Sequence, residues 1–304
     1  MIEREIAVEL ERWEEMAAGP EDVGGLPTGG SRLVFDKLGV IRAAGAHLTF
    51  YPAVVPPQVP PDDRLVRARA MEDTGHHVEA IALYREAATS TGRTVRATAT
   101  WRLASLLETL GQRAEALSAY AELTTMAEAM VEGSPAPLLG RRGRELVLRA
   151  IGDAASADRE RALLAEELTG RSWLIEKSVF DKFSSGIDPG RYPASAVHRS
   201  ACVAAMWPAM QGAPSGRAIA RDGDEAFAAI WRPSGGDSRA VIAPVDVLMK
   251  QARIAAGRLS VEIALEDAAK NHLWGPRSTS AEVATHSLDR IGLPANLRIW
   301  LKEP

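Results

Sequence analysis

Apolar side chains at the start of the chain follow a helical spacing. In residues 2–17 they recur every three or four positions, at Ile2, Ile6, Leu10, Trp13 and Met16. This spacing places them on one face of an amphipathic helix, and the glutamates between them fall on the opposite face. Gly19 and Pro20 then predict the end of the helix.

Two short apolar segments follow, at residues 32–36 and 47–51, and we expect two strands joined around Gly39 and Gly45. The prolines of residues 56–61 cannot join a helix or a central strand, so they predict a stiff, extended linker and a domain boundary. Residues 1–61 are therefore expected to form one N-terminal segment: an amphipathic helix, a strand pair and a proline linker.

The next part of the chain repeats itself. Three pairs of residues are each 36 positions apart: Gly75 and Gly111, Ala80 and Ala116, and Tyr84 and Tyr120. Such a period is typical of stacked helical hairpins. We expect the glycines to form the turns, the alanines to allow close helix contact, and the tyrosines, with Trp101, to pack between hairpins.

The repeat region is expected to cover residues 62–170. A third hairpin, from about residue 145 to residue 168, keeps the helical periodicity but lacks the glycine-turn signature. We interpret it as a worn or capping repeat, which is expected where an array ends.

The C-terminal part changes period. Residues 171–213 predict connecting helices, interrupted at Pro208. Residues 214–304 predict an α+β domain with a helix from Pro244 to about Ala256. Its strands are expected at residues 218–221, 226–232, 239–243, 261–265, 273–274, 282–288 and 297–301. We interpret the region as having the order strand, strand, helix, strand, strand, strand, which suggests one antiparallel sheet with helices on one face and is similar to the order of PAS sensory domains. The predicted fold class is mainly α with an α+β domain.

Composition narrows the possible functions. The 304 residues carry 36 Lys and Arg against 40 Asp and Glu, so the net charge of -4 does not indicate nucleic-acid binding. Cys202 is the only cysteine and lies in an apolar run, which favours a buried residue and excludes an internal disulfide. No segment of the sequence is long and apolar enough to predict a membrane span.

Candidate chemistry is sparse. His76 and His77 are adjacent at a predicted turn, without the ligand spacing of a metal site. The glycine pairs of residues 24–31 lack the Lys-Ser/Thr of a phosphate loop, and no Gly-x-Ser-x-Gly motif is present. We therefore predict no enzyme activity, no metal and no cofactor.

Ligand binding remains an alternative to core packing at a few positions. An arginine and aromatic residues on one sheet could line a pocket for an anionic or aromatic ligand. The candidates are Trp231, Arg232, Lys250 and Trp274.

The repeat resembles the tetratricopeptide repeat. The matching residues are Gly75, Ala80, Tyr84 and Ala87, then Trp101, Leu110, Gly111, Ala116 and Tyr120. This resemblance implies stacked hairpins that present a groove to a peptide or protein.

The whole arrangement resembles the extracytoplasmic sensor region of bacterial histidine kinases that carry such repeats. Residues 49–52, the proline segment, the two hairpins, the helices around Trp173 and Phe180, and residues 292–300 carry this likeness. It implies a periplasmic input domain of a membrane-anchored parent, a small-molecule, peptide or protein signal, and a homodimer. The kinase core is absent, so sensing carries over and phosphotransfer does not. The alternative is a soluble, cytoplasmic tetratricopeptide adaptor.

Overall fold

The computed structural model describes residues 1–19, 25–55, 62–267, 269–277 and 282–301. Contacts divide the chain into two compact units. The first combines Met1–Val55 with Tyr192–Pro304, and the second is Pro56–Arg191. The proline linker expected at residues 56–61 and the final residues 302–304 lie outside the described residues.

Helices and antiparallel sheets are both present, as expected from the sequence. The α-helices of the described residues are α1 (Ile2–Ala18), α2 (Asp63–Asp73), α3 (His77–Ala88), α4 (Arg93–Thr109), α5 (Arg113–Leu123), α6 (Ala136–Ala150), α7 (Ala154–Gly170), α8 (Lys177–Ser184), α9 (Ala194–Gly212), α10 (Val245–Leu248) and α11 (Lys250–Arg258). The strands are β1 (Ser31–Phe35), β2 (Val40–Gly45), β3 (Met130–Val131), β4 (Ser134–Pro135), β5 (Gly216–Asp222), β6 (Glu225–Ser234), β7 (Asp237–Pro244), β8 (Val261–Glu266), β9 (His272–Trp274), β10 (Glu282–Ser287) and β11 (Asn296–Leu301).

A five-stranded antiparallel sheet forms the centre of the first unit, in the order β2-β1-β7-β6-β5. Strand β1 lies between β2 and β7, so that Leu33 is opposite Ala43 on one side and Ala240 on the other. The N-terminal strands and the strands after residue 214 therefore share one sheet. The expected boundary between residues 1–61 and 214–304 is wrong, because pairing between distant segments leaves no local pattern in the sequence.

Helices cover both faces of this sheet. Ile230 of β6 belongs to the same core cluster as Leu10 of α1. On the other face, the guanidinium carbon of Arg199 in α9 lies 5.2 Å from the ring centroid of Phe227. Residues 226–231 are consequently all buried. The expectation of helices on one face only is wrong, because α1 comes from the opposite end of the chain to cover the second face.

The later strands of the first unit form a separate four-stranded sheet, in the order β10-β11-β8-β9. Leu265, Trp274 and Leu297 of this sheet join the core cluster that also contains α1 and α11. The strands of residues 214–301 are therefore divided between two sheets, where the sequence suggested one.

Residues 47–51 were expected to be a strand, and this is wrong. The second strand of the hairpin is β2, which ends at Gly45, and the Asp36 carboxylate accepts hydrogen bonds from the N–H groups of the turn before it. Residues 47–51 instead pack against α9, where the Thr49 N–H donates to the Ser200 hydroxyl at 2.9 Å. Their apolar pattern reflects burial, and residues 47–50 form no strand.

Two helices also differ from expectation. Helix α9 continues through Pro208, where an interruption was expected. The helix predicted after Pro244 is two helices, α10 and α11, which meet at Met249.

Three helical hairpins build most of the second unit: α2 with α3, α4 with α5, and α6 with α7. Their turns share one set of hydrogen bonds. In each, the N–H of a glycine at φ between +74° and +84° donates to the carbonyl three residues earlier, and the next N–H donates to the carbonyl five residues earlier. The glycines are Gly75, Gly111 and Gly152.

The third hairpin was expected to lack a glycine turn, and this is wrong. Gly152 takes the same left-handed conformation, which glycine adopts without a steric penalty. It follows Gly111 by 41 residues, where the first two glycines are 36 apart. The small β3–β4 hairpin lies between α5 and α6, so the third turn falls out of the sequence period.

Candidate functional site

A cleft in the first unit brings five charged side chains together. It has a volume of about 440 Å³ and lies between α1, the beginning of β5, the end of β6 and the turn at residues 289–292. Its charged lining residues are Glu11, Glu14, Arg217, Arg232 and Arg290. We call it the arginine cleft.

Glu14 holds two of the arginines. Its Oε1 accepts hydrogen bonds from Nε of Arg217 at 2.8 Å and from Nη2 of Arg217 at 2.5 Å. Its Oε2 lies 2.5 Å from Nη2 of Arg232. Nη1 of Arg217 donates to the Ile291 carbonyl, which fixes that guanidinium between helix α1 and the turn. Arg217 therefore has a structural partner at each of its three nitrogens.

The contacts with the two arginines determine the protonation state of Glu14. Burial raises the pKa of Glu14, but the hydrogen bonds from Arg232 and Arg217 outweigh it, and the pKa lies below its usual value. The carboxylate is thus ionised at neutral pH.

The other two arginines are more open. Arg232 is 40% exposed and pairs with Glu14 through Nη2, so Glu14 leaves other N–H donors of its guanidinium unoccupied. Arg290 is exposed and has no hydrogen bond or ion pair with any other described residue. Arg217 is therefore fixed by the protein, and Arg232 has only some of its N–H donors occupied. Arg290 has no polar side-chain partner in the described part of the chain.

Trp231 and Arg232 point to opposite faces of β6, because successive side chains in a strand alternate. The indole Nε1 of Trp231 donates to the Ala213 carbonyl at 2.8 Å, and the side chain is buried on the α9 face. A Cβ on Gly216 would lie 2.4 Å from this ring, so the glycine lets the ring pack against β5. Trp231 therefore supports the strand beside the cleft and does not line it.

The remaining predicted ligand residues lie elsewhere in the first unit. Lys250 lines a separate depression of about 230 Å³ with Glu9 and Arg12. Trp274 lines a third one of about 390 Å³, where Arg253 stacks at 4.8 Å from the ring centroid. Nε1 of Trp274 also donates to the Asp246 carboxylate at 2.8 Å. The four candidates do not form one pocket, since Arg232, Lys250 and Trp274 line three different depressions and Trp231 is buried beside the first.

Four charged residues of the cleft were not predicted from the sequence: Glu11, Glu14, Arg217 and Arg290. Glu14 lies on the polar face of an amphipathic helix, where glutamate is ordinary. The arginines come from a strand and a turn with no motif around them. Only the packing of α1 on the sheet brings these side chains together.

The predicted repeat residues occupy equivalent places in the second unit. Ala80 and Ala116 are completely buried. The Tyr84 hydroxyl donates to Glu72 at 2.6 Å, and the Tyr120 hydroxyl donates to Glu108 at 2.8 Å. The pKa of Tyr84 is raised above its ordinary value. Burial is the largest cause, and the hydrogen bond with the Glu72 carboxylate is the next.

Trp101 lies on α4 and is partly exposed. The guanidinium carbon of Arg102 stacks 4.6 Å from its ring centroid. Trp101 is therefore less completely packed than the alanines and tyrosines of the repeat.

The third hairpin replaces the tyrosine and glutamate with arginines. Arg161 lies nine residues after Gly152, where the other two hairpins have tyrosine. Arg149 lies three residues before Gly152, where they have glutamate. Both bind the buried carboxylate of Glu145, which also accepts a hydrogen bond from Arg142 at 2.8 Å. Burial raises the pKa of Glu145, but these three arginines bring it below its usual value.

Other candidate chemistry has ordinary surroundings. Cys202 is buried, and burial raises the pKa of its thiol to about 12. Nδ1 of His198 lies 2.7 Å from the Asp222 carboxylate. Within the described residues, no group of three or more His, Cys, Asp or Glu side chains is arranged to hold a metal ion.

No helix in the described part of the chain is both long and apolar enough to cross a membrane. Comparisons with models of protein families, with curated proteins and with solved structures found no match for this chain.

Proposed function

We propose that this chain is a non-catalytic sensing and scaffolding module that serves as the extracytoplasmic input region of a bacterial sensor histidine kinase. In this proposal the helical repeats bind a peptide or protein, and the α+β unit binds a signal. The alternative is a free-standing adaptor in which the repeats alone bind a partner.

The repeated hairpin is the main observation that supports the proposal. Three successive turns share the same backbone hydrogen bonds, and two of the hairpins share the same Tyr–Glu contact. Stacked hairpins of this kind generate extended binding surfaces from a repeated unit. This supports a tetratricopeptide-like scaffold.

The first unit supports the sensory part. Strands β1 and β2, helix α9 and strands β5, β6 and β7 follow the order strand, strand, helix, strand, strand, strand. This order is similar to that of PAS-like sensory domains, although the sequence predicted it after residue 214. The repeat unit is inserted between β2 and α9.

In this proposal the buried core of the first unit transmits the signal to α1 and β11. Ile2 of α1 and Leu297 of β11 belong to the same buried cluster. A ligand that favours one packing of this cluster would shift both elements together, by no more than its difference in affinity between the two states.

Hydrogen exchange can distinguish the sensor from the adaptor. A metabolite library would first be screened by thermal shift, and a peptide library by fluorescence anisotropy. The sensor proposal expects a metabolite that binds the first unit and changes amide exchange in α1 and β11. If only peptides bind, and protection changes only in α2–α7, the adaptor replaces the sensor.

Catalysis provides an independent test. The purified chain should neither hydrolyse ATP nor bind it saturably at micromolar concentration, because the sequence contains no phosphate loop and no ATP lid. Micromolar nucleotide binding would count against the non-catalytic module.

A further inference from the structure

We infer that the arginine cleft binds a metabolite-sized ligand through a phosphate or carboxylate group. Arg232 and Arg290 would contact that group, and Glu14 would position Arg232. The site stands on its own geometry, so its test does not depend on what the repeats bind.

The arginine cleft is partly preorganised by Glu14. The Glu14 side chain is 19% exposed and binds Arg217 and Arg232 at the same time. Arg217 is tied to the Ile291 carbonyl and anchors Glu14, and Glu14 in turn binds the guanidinium of Arg232 before a ligand arrives. A cation already fixed in position loses less side-chain freedom when it binds an anion.

The charges of the cleft favour an anion. Three guanidiniums and two carboxylates line the cleft. Glu14 is occupied by Arg217 and Arg232, whereas Arg290 has no polar partner among the described residues. Guanidinium groups pair with carboxylates and phosphates through parallel N–H donors. An oxyanion between Arg232 and Arg290 would satisfy donors that the protein leaves open.

Glu11 limits which ligands can bind. It is exposed at the wall of the cleft and makes no ion pair within the described residues. Its charge opposes an incoming anion, so it should weaken binding of the most highly charged ligands.

The volume of the cleft matches a small ligand. The cleft volume of about 440 Å³ falls in the range of roughly 300 to 1,000 Å³ that is usual for small-molecule sites. It therefore suits a metabolite.

Titration calorimetry with inorganic phosphate and with succinate, in low-salt buffer, tests the inference. We expect saturable binding of at least one probe with a dissociation constant of about 1 mM or tighter. The tighter probe identifies whether the cleft prefers a phosphate or a carboxylate. Absence of saturable binding by both probes would overturn the inference.

Matched variants locate the binding. Arg290→Gln should weaken it by about tenfold, since a charge-assisted contact is lost, and Glu11→Gln should strengthen it. Arg258→Gln is the control, because Arg258 is an exposed arginine of the same unit outside the cleft. Arg290 is exposed, so its variant should fold, and an unchanged melting temperature would verify this. Equal affinities of the Arg290 and Arg258 variants would place the anion elsewhere and overturn the proposed site.

Discussion

Two buried or partly buried glutamates in this protein each form ion pairs with several arginines. Glu14 has two arginine partners and Glu145 has three. In both cases the carboxylate is stabilised in its ionised form, although burial alone would favour protonation. Removing one carboxylate therefore leaves several guanidiniums without their partner.

Glu14→Gln should lower the free energy of unfolding at pH 7 by about 1 to 3 kcal/mol, because partly buried arginines lose an ionised partner. The pKa of Glu14 is depressed in the folded state, so its contribution is present above the pKa of the unfolded chain. It is lost as the pH falls through the lower folded pKa. The measurement is urea unfolding at pH 7 and at acidic pH.

Glu15→Gln is the control for this prediction, because Glu15 is an exposed neighbour on the same helix. A Glu14 variant with the same stability difference from the parent chain at both pH values would contradict the assignment to ionised Glu14.

At the scale of helices and turns, the hairpins depend on small residues at fixed positions. Ala80 and Ala116 lie five residues after the turn glycines of their hairpins and are completely buried. Ala157 is equally buried and lies five residues after Gly152 in the third hairpin. This shared spacing is the evidence that the third hairpin belongs to the same array.

Ala80→Leu and Ala116→Leu should each destabilise the protein by roughly 1 to 3 kcal/mol, because the larger side chain overpacks the helix contact. Ala82→Leu and Ala114→Leu are the controls, since both alanines are exposed on the same helices. Thermal unfolding followed by circular dichroism measures the difference. If the buried and exposed variants melt together, the hairpins do not pack through these alanines.

Gly152→Ala should cost about 1 to 2 kcal/mol, the penalty for a residue with a Cβ in the left-handed conformation. A Cβ at Gly152 would meet no atom within 4 Å, so the effect would come from the backbone alone. Gly170→Ala is the comparison, because Gly170 also has open space but no positive φ. Equal stabilities of the two variants would show that the third turn does not require glycine.

At the scale of the whole molecule, the first unit is assembled from both ends of the chain. Strand β1 pairs with β7, and the apolar stripe of α1 lies in the core formed by later strands and helices. The second unit is one continuous segment. The two units should therefore respond differently to truncation.

Residues 62–191 expressed alone should give a helical spectrum and a cooperative thermal transition, since their hairpins pack on neighbours in the sequence. Residues 192–304 alone should not fold, because they lack β1 and the stripe of α1 that includes Leu10 and Trp13. Circular dichroism and amide NMR dispersion would show this. A folded 192–304 fragment would contradict the assembly of the first unit.

The sequence by itself determined the local structure: the helix of α1, the period of the first two hairpins, and most strands after residue 214. These depend on side-chain spacing within one element or between neighbouring elements, which the covalent chain fixes. Tertiary structure decided the pairing of β1 with β7, the division into two sheets, and the meeting of Glu14, Arg217, Arg232 and Arg290. These contacts join distant segments, and they form only when the apolar faces of those segments pack together.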